Sequence, residues 1–330
     1  MCYNVLMRKL YYATFEKGWE EVVKQSIKKQ DKNSMVKKLY DDAVLFFADE
    51  YFKFENNCFK TAYLVLDNIQ KEGVGGLNAE MKHLLEKKGL KISFAKNVQT
   101  FKLSIIKENE KVVVDQNLKK AVEIMLRRVT KKSISFVSTQ AELAFLAKSD
   151  GTILFMKTLL SQKVSSKYDL NSDEACLMNY LSEPSASEVV VDPYADNGII
   201  CYARALSFKK ANVIANDESK QSVDNLKKLA KSLKDKTFSV LNYDFLSDSF
   251  PIRFIDKIVT NVTPLSYDKR FRINEFYDAF FDKVYNLKIK IVVIAVSSSH
   301  DISRFLTDKY TIEKQVFAQK YNVYKLKIRG

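Results

Sequence analysis

Four polar side chains stand where four successive apolar stretches end in the carboxy-terminal half of the chain. Val189-Val190-Val191 runs into Asp192, and Val213-Ile214-Ala215 into Asn216-Asp217-Glu218. Phe238–Leu241 runs into Asn242-Tyr243-Asp244-Phe245, and Ile258-Val259-Thr260 into Asn261. An acid at the end of a second strand, about 20 residues beyond the end of the first, has the spacing at which a ribose diol is read, because each carboxylate oxygen can accept from one hydroxyl. Asp217 is the candidate for that contact. Asp244 could accept from an exocyclic adenine amine with Phe245 packing near the ring, and Asn261 offers an amide donor and acceptor at the same rim. Turn chemistry alone accounts for any single loop acid. Together the four describe a nucleoside site with a polar rim.

Between Thr152 and Arg329 the only glycine is Gly198, in the stretch Asp192-Pro193-Tyr194-Ala195-Asp196-Asn197-Gly198-Ile199. A strand, a polar turn and a helix start, with an acid at the strand end, read as a nucleotide-type cofactor loop whose backbone lets a ligand approach closely. An ordinary left-handed turn glycine is the competing explanation.

These residues need elements to hold them. Alternating apolar segments predict a helix at Asp173–Leu181, a strand at Val189–Val191, a helix at Ile199–Phe208, a strand at Val213–Ala215 and a helix at Lys220–Leu233. Strands at Phe238–Leu241 and Ile258–Thr260, a helix at Asn274–Tyr285 and a strand at Ile289–Val296 follow. Tyr310–Glu313 and Val323–Ile328 close the chain as a strand pair with no helix between them. The pattern is α/β: a mostly parallel, doubly wound sheet covered on both faces, with an antiparallel edge hairpin.

The first half reads differently. All four prolines lie beyond residue 180, and a polar stretch at 161–170 reads as a linker between a unit at 1–160 and one at 171–330. Strands are expected at Leu10–Thr14, Ala43–Phe47 and Thr100–Ile106, and helices at Gly18–Lys28, Phe59–Ile69, Asn78–Lys88 and Asn117–Val129. A hairpin joins Ala141–Leu146 to Thr152–Leu159 through Ser149-Asp150-Gly151. This α+β unit shows no loop chemistry of a catalytic kind.

Composition narrows the function classes. The chain has 330 residues, enough for two domains, with 46% hydrophobic and 12% aromatic residues to build their cores. No uncharged apolar run reaches membrane-spanning length and no secretory leader is evident, which predicts a soluble cytoplasmic protein without a membrane role. Cys2, Cys58, Cys176 and Cys201 are scattered without metal-site spacing, so reduced thiols and no metal are expected. His83 and His300 are the only histidines, which argues against a histidine-based triad or metal centre. The net charge is +14, with most of the excess in the first half. There Lys119, Lys120, Arg127, Arg128, Lys131 and Lys132 surround one helix and the strand after it, a set that could track a phosphate backbone. A solvated helix face explains any one pair equally well.

The chain resembles the class I S-adenosylmethionine-dependent methyltransferases, and within them the THUMP-containing RNA guanine-N2 methyltransferases. Asp192 to Ile199 is similar to that family's Asp-Pro-Phe-Cys-Gly-Ser-Gly-Thr loop, and Ile214-Ala215-Asn216-Asp217 with Val223-Asp224-Asn225-Leu226 to its ribose-binding segment. Asp244 falls at its adenine-side acid. Asp256–Asn261 leads into the place of its Asn-Pro-Pro-Tyr motif. Tyr12–Gly18 resembles the start of a ferredoxin-like region, and Ala141–Ala144 with Ser149–Thr152 a final THUMP hairpin. The resemblance implies a Rossmann-like methyltransferase domain with a seven-stranded sheet, preceded by a ferredoxin-like and THUMP RNA-binding region. It implies S-adenosylmethionine as cofactor, bound by Asp192, Gly198, Asp217, Asp244 and Phe245, and structured RNA, tRNA or rRNA, as partner. Asn261 would orient a guanine N2 amine for methylation. A small activating protein partner is left open. The sequence departs from the family in reading Asn261-Val262-Thr263-Pro264 for Asn-Pro-Pro-Tyr, with Tyr267 three residues beyond, and Asp196 and Ile199 for a glycine and the threonine of the cofactor loop. Those departures keep a second reading open: a non-catalytic RNA-binding or assembly factor of the same fold.

Overall fold

Residues 8–54, 58–70, 76–108, 110–135, 140–161, 170–208, 211–233, 238–262, 272–318 and 321–329 are described by a computed structural model. The first half supplies strands β1 (Arg8–Thr14), β2 (Met35–Leu39), β3 (Ala43–Asp49), β4 (Thr61–Gln70), β5 (Thr100–Lys107), β6 (Glu110–Lys111), β7 (Ser133–Ile134), β8 (Ala141–Ala147) and β9 (Thr152–Ser161). Helices α1 (Glu20–Gln30), α2 (Gly76–Glu86) and α3 (Gln116–Thr130) lie between them. All nine strands form one sheet in the order β2-β3-β1-β4-β9-β8-β5-β6, with β7 added on β5.

The helix expected at Phe59–Ile69 is instead β4, paired antiparallel to β1 on one side and β9 on the other. Its run Tyr63-Leu64-Val65-Leu66 is too short for apolar periodicity to separate helix from strand. Thr61, Tyr63, Val65 and Ile69 are residues that a pleated, doubly paired strand accommodates best. Strand β2 had no expectation either. It is an edge strand whose register against β3 shifts between Val36 and Lys38, so its side chains do not alternate cleanly. The Asp-Gly hairpin joins β8 to β9, with Thr152 N–H donating to Asp150 Oδ1 at 2.8 Å and Gly151 at φ +82°.

Helix α3 starts at Asp115, whose carboxylate accepts from the N–H groups of Asn117 (2.8 Å) and Leu118 (3.2 Å). Leu118, Val122 and Leu126 repeat at helical spacing and are buried against the sheet. The opposite face carries the basic residues.

The second half begins with α4 (Ser172–Leu181) and continues through β10 (Val189–Asp192), α5 (Ile199–Ser207), β11 (Asn212–Asn216), α6 (Lys220–Leu233), β12 (Phe238–Leu241) and β13 (Lys257–Asn261). It ends with α7 (Ile273–Asn286), β14 (Ile291–Ser297), the short α8 (Ser303–Leu306), β15 (Tyr310–Phe317) and β16 (Tyr321–Ile328). The sheet order is β12-β11-β10-β13-β14-β16-β15. β10 to β14 run parallel, and β16 is antiparallel to both neighbours. Strand order therefore reverses beside β10, the place where loops diverge and leave a crevice at the carboxyl ends of the strands. At the opposite end Glu188 pairs with Arg204 of α5 and, at 2.7 Å, with Lys257 of β13, all three buried. That network ties the starts of β10 and β13 to the first covering helix.

Residues 162–169 of the expected linker lie outside the described residues. On either side of them the two halves share one core. Phe15, Trp19 and Val22 of the first half pack in the same cluster as Cys176 and Leu177 of α4, Val293 of β14 and Val323 of β16. Cys58 Sγ and Cys176 Sγ meet at 3.1 Å across this seam. Helix α4 is buried on nearly every side, as a helix between two layers must be.

Candidate functional site

Asp192 is the last residue of β10 and is 2% exposed. Its Oδ1 accepts from Thr260 Oγ1 at 2.7 Å and from the Tyr194 N–H at 3.3 Å, so β13 and the loop after β10 both anchor it. Burial pushes its carboxyl up to about 7, against those two hydrogen bonds, and the carboxylates of Asp217 and Asp196 push in the same direction as burial.

The loop after β10 is closed by its neighbour strand. Asp217 Oδ2 accepts from the Asp196 N–H at 2.9 Å and Asp217 Oδ1 from the Ser219 N–H at 2.9 Å. Each carboxylate oxygen keeps a second lone pair, so the acid can still accept from a diol. Asp196 takes a left-handed φ of +45°, which turns the chain toward Gly198 at φ +78° and the first turn of α5. Asn197 Oδ1 accepts from the Ile199 N–H at 3.0 Å.

Gly198 has a close protein neighbour. A Cβ there would lie 2.6 Å from Leu226 Cδ2 and 2.9 Å from Leu229 Cδ2, both on α6. The close approach is between the loop and the helix that covers β11.

Asp192, Tyr194, Ala195, Asp196, Asp217, Ser219 and Asn261 line one cavity of about 340 Å³, with Leu170, just before α4, on its wall. Of the residues expected to face a nucleoside, Asp192, Asp217 and Asn261 are thus brought together from β10, β11 and β13. Asp192, Asp196, Asp217 and Glu218 contribute carboxylates, and among the described residues no basic side chain lines the cavity. Such a wall repels phosphates and favours a neutral or cationic ligand.

The other expected residues fall elsewhere. Asp244 is exposed, with Oδ1 accepting from the Leu246 N–H at 2.9 Å, and it does not line the cavity. Phe245 is 1% exposed, its ring edge-on to Tyr194 (6.2 Å) and Phe250 (5.1 Å). It belongs to the core beneath the cavity and supports Tyr194 from below. Thr263, Pro264 and Tyr267 lie outside the described residues. Val262 is fully buried, and its N–H donates to Ala295 O at 3.0 Å, continuing the pairing of β13 with β14.

A separate basic cleft of about 430 Å³ opens at the end of α3, lined by Arg127, Arg128, Lys131 and Lys132 with Ile124 and Ser133. Lys131 closes the helix in the left-handed region at φ +55°, its N–H donating to Arg127 O at 2.9 Å, which fans the four cations around the helix end. Lys119 instead reaches toward Glu123 at 3.9 Å, and Lys120 is exposed one turn earlier on the helix. Among the described residues no cluster of three or more His, Cys, Asp or Glu could hold a metal ion, and no helix is long and apolar enough to cross a membrane.

Sequence reasoning missed Asn216 and Thr260, polar residues buried at the ends of β11 and β13 that tie the loops together. Their signal was present: each is a polar residue after a run of apolar strand residues, directly before a site residue.

No protein-family model matches the chain, and no curated protein matches its sequence. Solved structures do. TrmN from Thermus thermophilus superposes over 98% of this chain and 100% of its own with a TM-score of 0.75 at 12% identity. A possible methylase from Clostridium difficile 630 covers 98% and 99% with a TM-score of 0.68 at 14% identity. SMU.472, solved in complex with SAH, covers 98% and 99% with a TM-score of 0.69 at 12% identity. The likeness extends over both sheets and shows an α/β methyltransferase fold.

Proposed function

We propose that the chain is an S-adenosylmethionine-dependent RNA methyltransferase acting on the exocyclic N2 of guanine in tRNA or rRNA. Residues 1–160 would hold the RNA and residues 171–330 carry out the transfer. The observation that carries the reading is the convergence of Asp192, Asp217 and Asn261 on one acid-lined cavity at the point where strand order reverses. The lining fits this cofactor better than a nucleotide phosphate, since among the described residues it offers carboxylate acceptors for hydroxyl and ammonium groups and no cation.

S-adenosylmethionine supplies an electrophilic methyl on a sulfonium, and its leaving group is a neutral thioether, so the protein needs no strong base. Asp217 would accept from the ribose hydroxyls through its free lone pairs. Asn261 would accept an N–H of the target amine and hold the nitrogen toward the cavity, a contribution of orientation. The cleft of Arg127, Arg128, Lys131 and Lys132 would take the RNA by phosphate and shape contacts.

Val262 favours a second reading, a non-catalytic RNA-binding or assembly factor. The residue after Asn261 is committed to the core and to the strand pairing, so the loop has an apolar anchor at a position where the resembling family has a proline. Calorimetric titration with S-adenosylmethionine and S-adenosylhomocysteine, then methyl transfer to total RNA, separates the two. Binding with transfer that Asn261→Ala abolishes supports the enzyme. Binding of RNA alone, with no uptake of either nucleoside, selects the second reading.

A further inference from the structure

We infer that Asn216 is a positioning residue for the proposed cofactor site: its side chain locks the loop after β10 to the loop after β12 and thereby fixes the cavity wall between them. The inference rests on the reading of that cavity as the cofactor site, although Asn216 itself does not line it.

Asn216 ends β11 and is 0% exposed. Its Nδ2 donates to Pro193 O at 3.0 Å and to Tyr243 O at 2.9 Å, and its Oδ1 accepts from the Tyr243 N–H at 3.1 Å. The Asn216 carbonyl also accepts from the Ala195 N–H at 2.9 Å. One side chain therefore satisfies main-chain groups of two loops that come from strands on either side of its own. Both donors and the acceptor of the amide are used, on the buried Pro193 carbonyl and on the main chain of Tyr243, a residue that is 40% exposed.

The geometry is selective for asparagine. Aspartate would keep the acceptor for Tyr243 N–H but lose both donors, and would put a second buried carboxylate near Asp192. Serine is too short to span from β11 to both loops. Asn242 adds a parallel but weaker tie, its Nδ2 donating to Asp217 O at 2.8 Å and Glu218 O at 3.0 Å from an exposed position. Loosening Asn216 would loosen Pro193 to Asp196, the stretch of wall that Asp217 also holds through the Asp196 N–H. It would act on ligand binding through those residues.

The test compares Asn216→Ala with Tyr310→Phe, which removes a buried hydrogen bond to Phe281 O at the far edge of the same sheet. Amide hydrogen exchange and S-adenosylhomocysteine affinity are measured on both, at temperatures chosen to match their global stability. Expected for Asn216→Ala are faster exchange at Tyr243 and at Ala195-Asp196 together, and affinity about tenfold weaker, with neither change in Tyr310→Phe. Exchange in Asn216→Ala that rises in only one of the two loops, or no more than in Tyr310→Phe, overturns the positioning role. If the wild type binds no S-adenosylhomocysteine, the cofactor reading fails, and the exchange comparison still decides whether Asn216 couples the loops.

Discussion

The main-chain N–H of Asp196 donates to Asp217 Oδ2 at 2.9 Å, so the acid that follows β11 also closes the loop that follows β10. The residue expected to read the ligand is thus part of the wall that shapes the cavity. Replacing it removes both functions at once. Asp217→Ala should weaken S-adenosylhomocysteine binding by about ten- to a hundredfold, and Asp217→Asn by less, because the amide oxygen can keep one of the two backbone bonds. Calorimetry on the two variants checks the order. Equal affinity in wild type and alanine variant would remove Asp217 from the site.

Gly198 is under two constraints, its φ of +78° and the Leu226 methyl 2.6 Å from where a Cβ would stand. Gly198→Ala should cost about 2–3 kcal/mol in a urea melt, combining left-handed strain with overpacking. Leu226→Ala costs stability of its own, since the side chain is buried, but in that background Gly198→Ala should cost less than in the wild type, with the backbone strain and the Leu229 methyl at 2.9 Å remaining. Additive effects in the double variant would show that the two side chains do not compete for space.

The second sheet was the more legible half, and the reason lies in its strands. Val189–Asp192 and residues 258–261 are short, mostly apolar and bounded by polar turns, and parallel strands buried on both faces look like that in sequence. The first sheet hid β4 because the apolar run Tyr63–Leu66 is too short to separate helix from strand, and Asp67 and Asn68 break the alternation that would have marked a strand. Within the site, Asp192, Asp217 and Asn261 could be read from their place at strand ends. Phe245 could not, since an aromatic after a loop acid is equally a lid or a floor, and its contact with Phe250, five residues on, is what decides. Gly198 was legible as a constrained position, but its neighbour on α6 is set by helix packing that no local pattern encodes.

The seam between the two halves contains a buried acid. Glu174 of α4 is 5% exposed and accepts from the Asn171 N–H at 2.7 Å. Burial first, and then the nearby Asp173 and Glu16 carboxylates, raise its carboxyl from 4.5 to about 7, while the Asn171 N–H and the Tyr321 hydroxyl oppose the shift. A carboxyl raised in the folded state holds extra protons there. Its contribution is complete below 4.5 and is lost as pH rises through 7, a swing of about 3 kcal/mol. Glu174→Gln keeps the acceptor for Asn171 and cannot ionise. The variant should match the wild type in thermal unfolding at about pH 5 and exceed it at about pH 8. A constant gap across that range would rule Glu174 out as the titrating group.

At the basic cleft, reversing Arg127, Arg128, Lys131 and Lys132 to glutamate should lower RNA affinity by at least about tenfold. The slope of affinity against salt should flatten by about one for each phosphate that is no longer neutralised. Lys119→Glu should do less, because its charge already leans on Glu123. Filter binding across a salt series measures both. An unchanged salt slope in the fourfold variant would place the RNA on another face.

Asp192 makes a prediction about ligand charge. Its carboxyl titrates near 7 because it is buried and faces Asp217 and Asp196, with Thr260 Oγ1 and the Tyr194 N–H as its hydrogen-bond donors. A cation entering the cavity favours the ionised form, so the complex holds fewer protons than the free protein around neutral pH. Affinity for S-adenosylmethionine should therefore rise between about pH 6 and pH 8, by at most about tenfold per pH step, and level off above. S-adenosylhomocysteine lacks the sulfonium charge and should show a flatter profile. Calorimetry in buffers of different ionisation enthalpy counts the released protons directly, and Asp192→Asn should abolish the release while keeping an acceptor for Thr260. Identical pH profiles for the two ligands would mean that the carboxylate wall does not sense the charge that distinguishes them, and that Asp192 serves β13 and the loop alone.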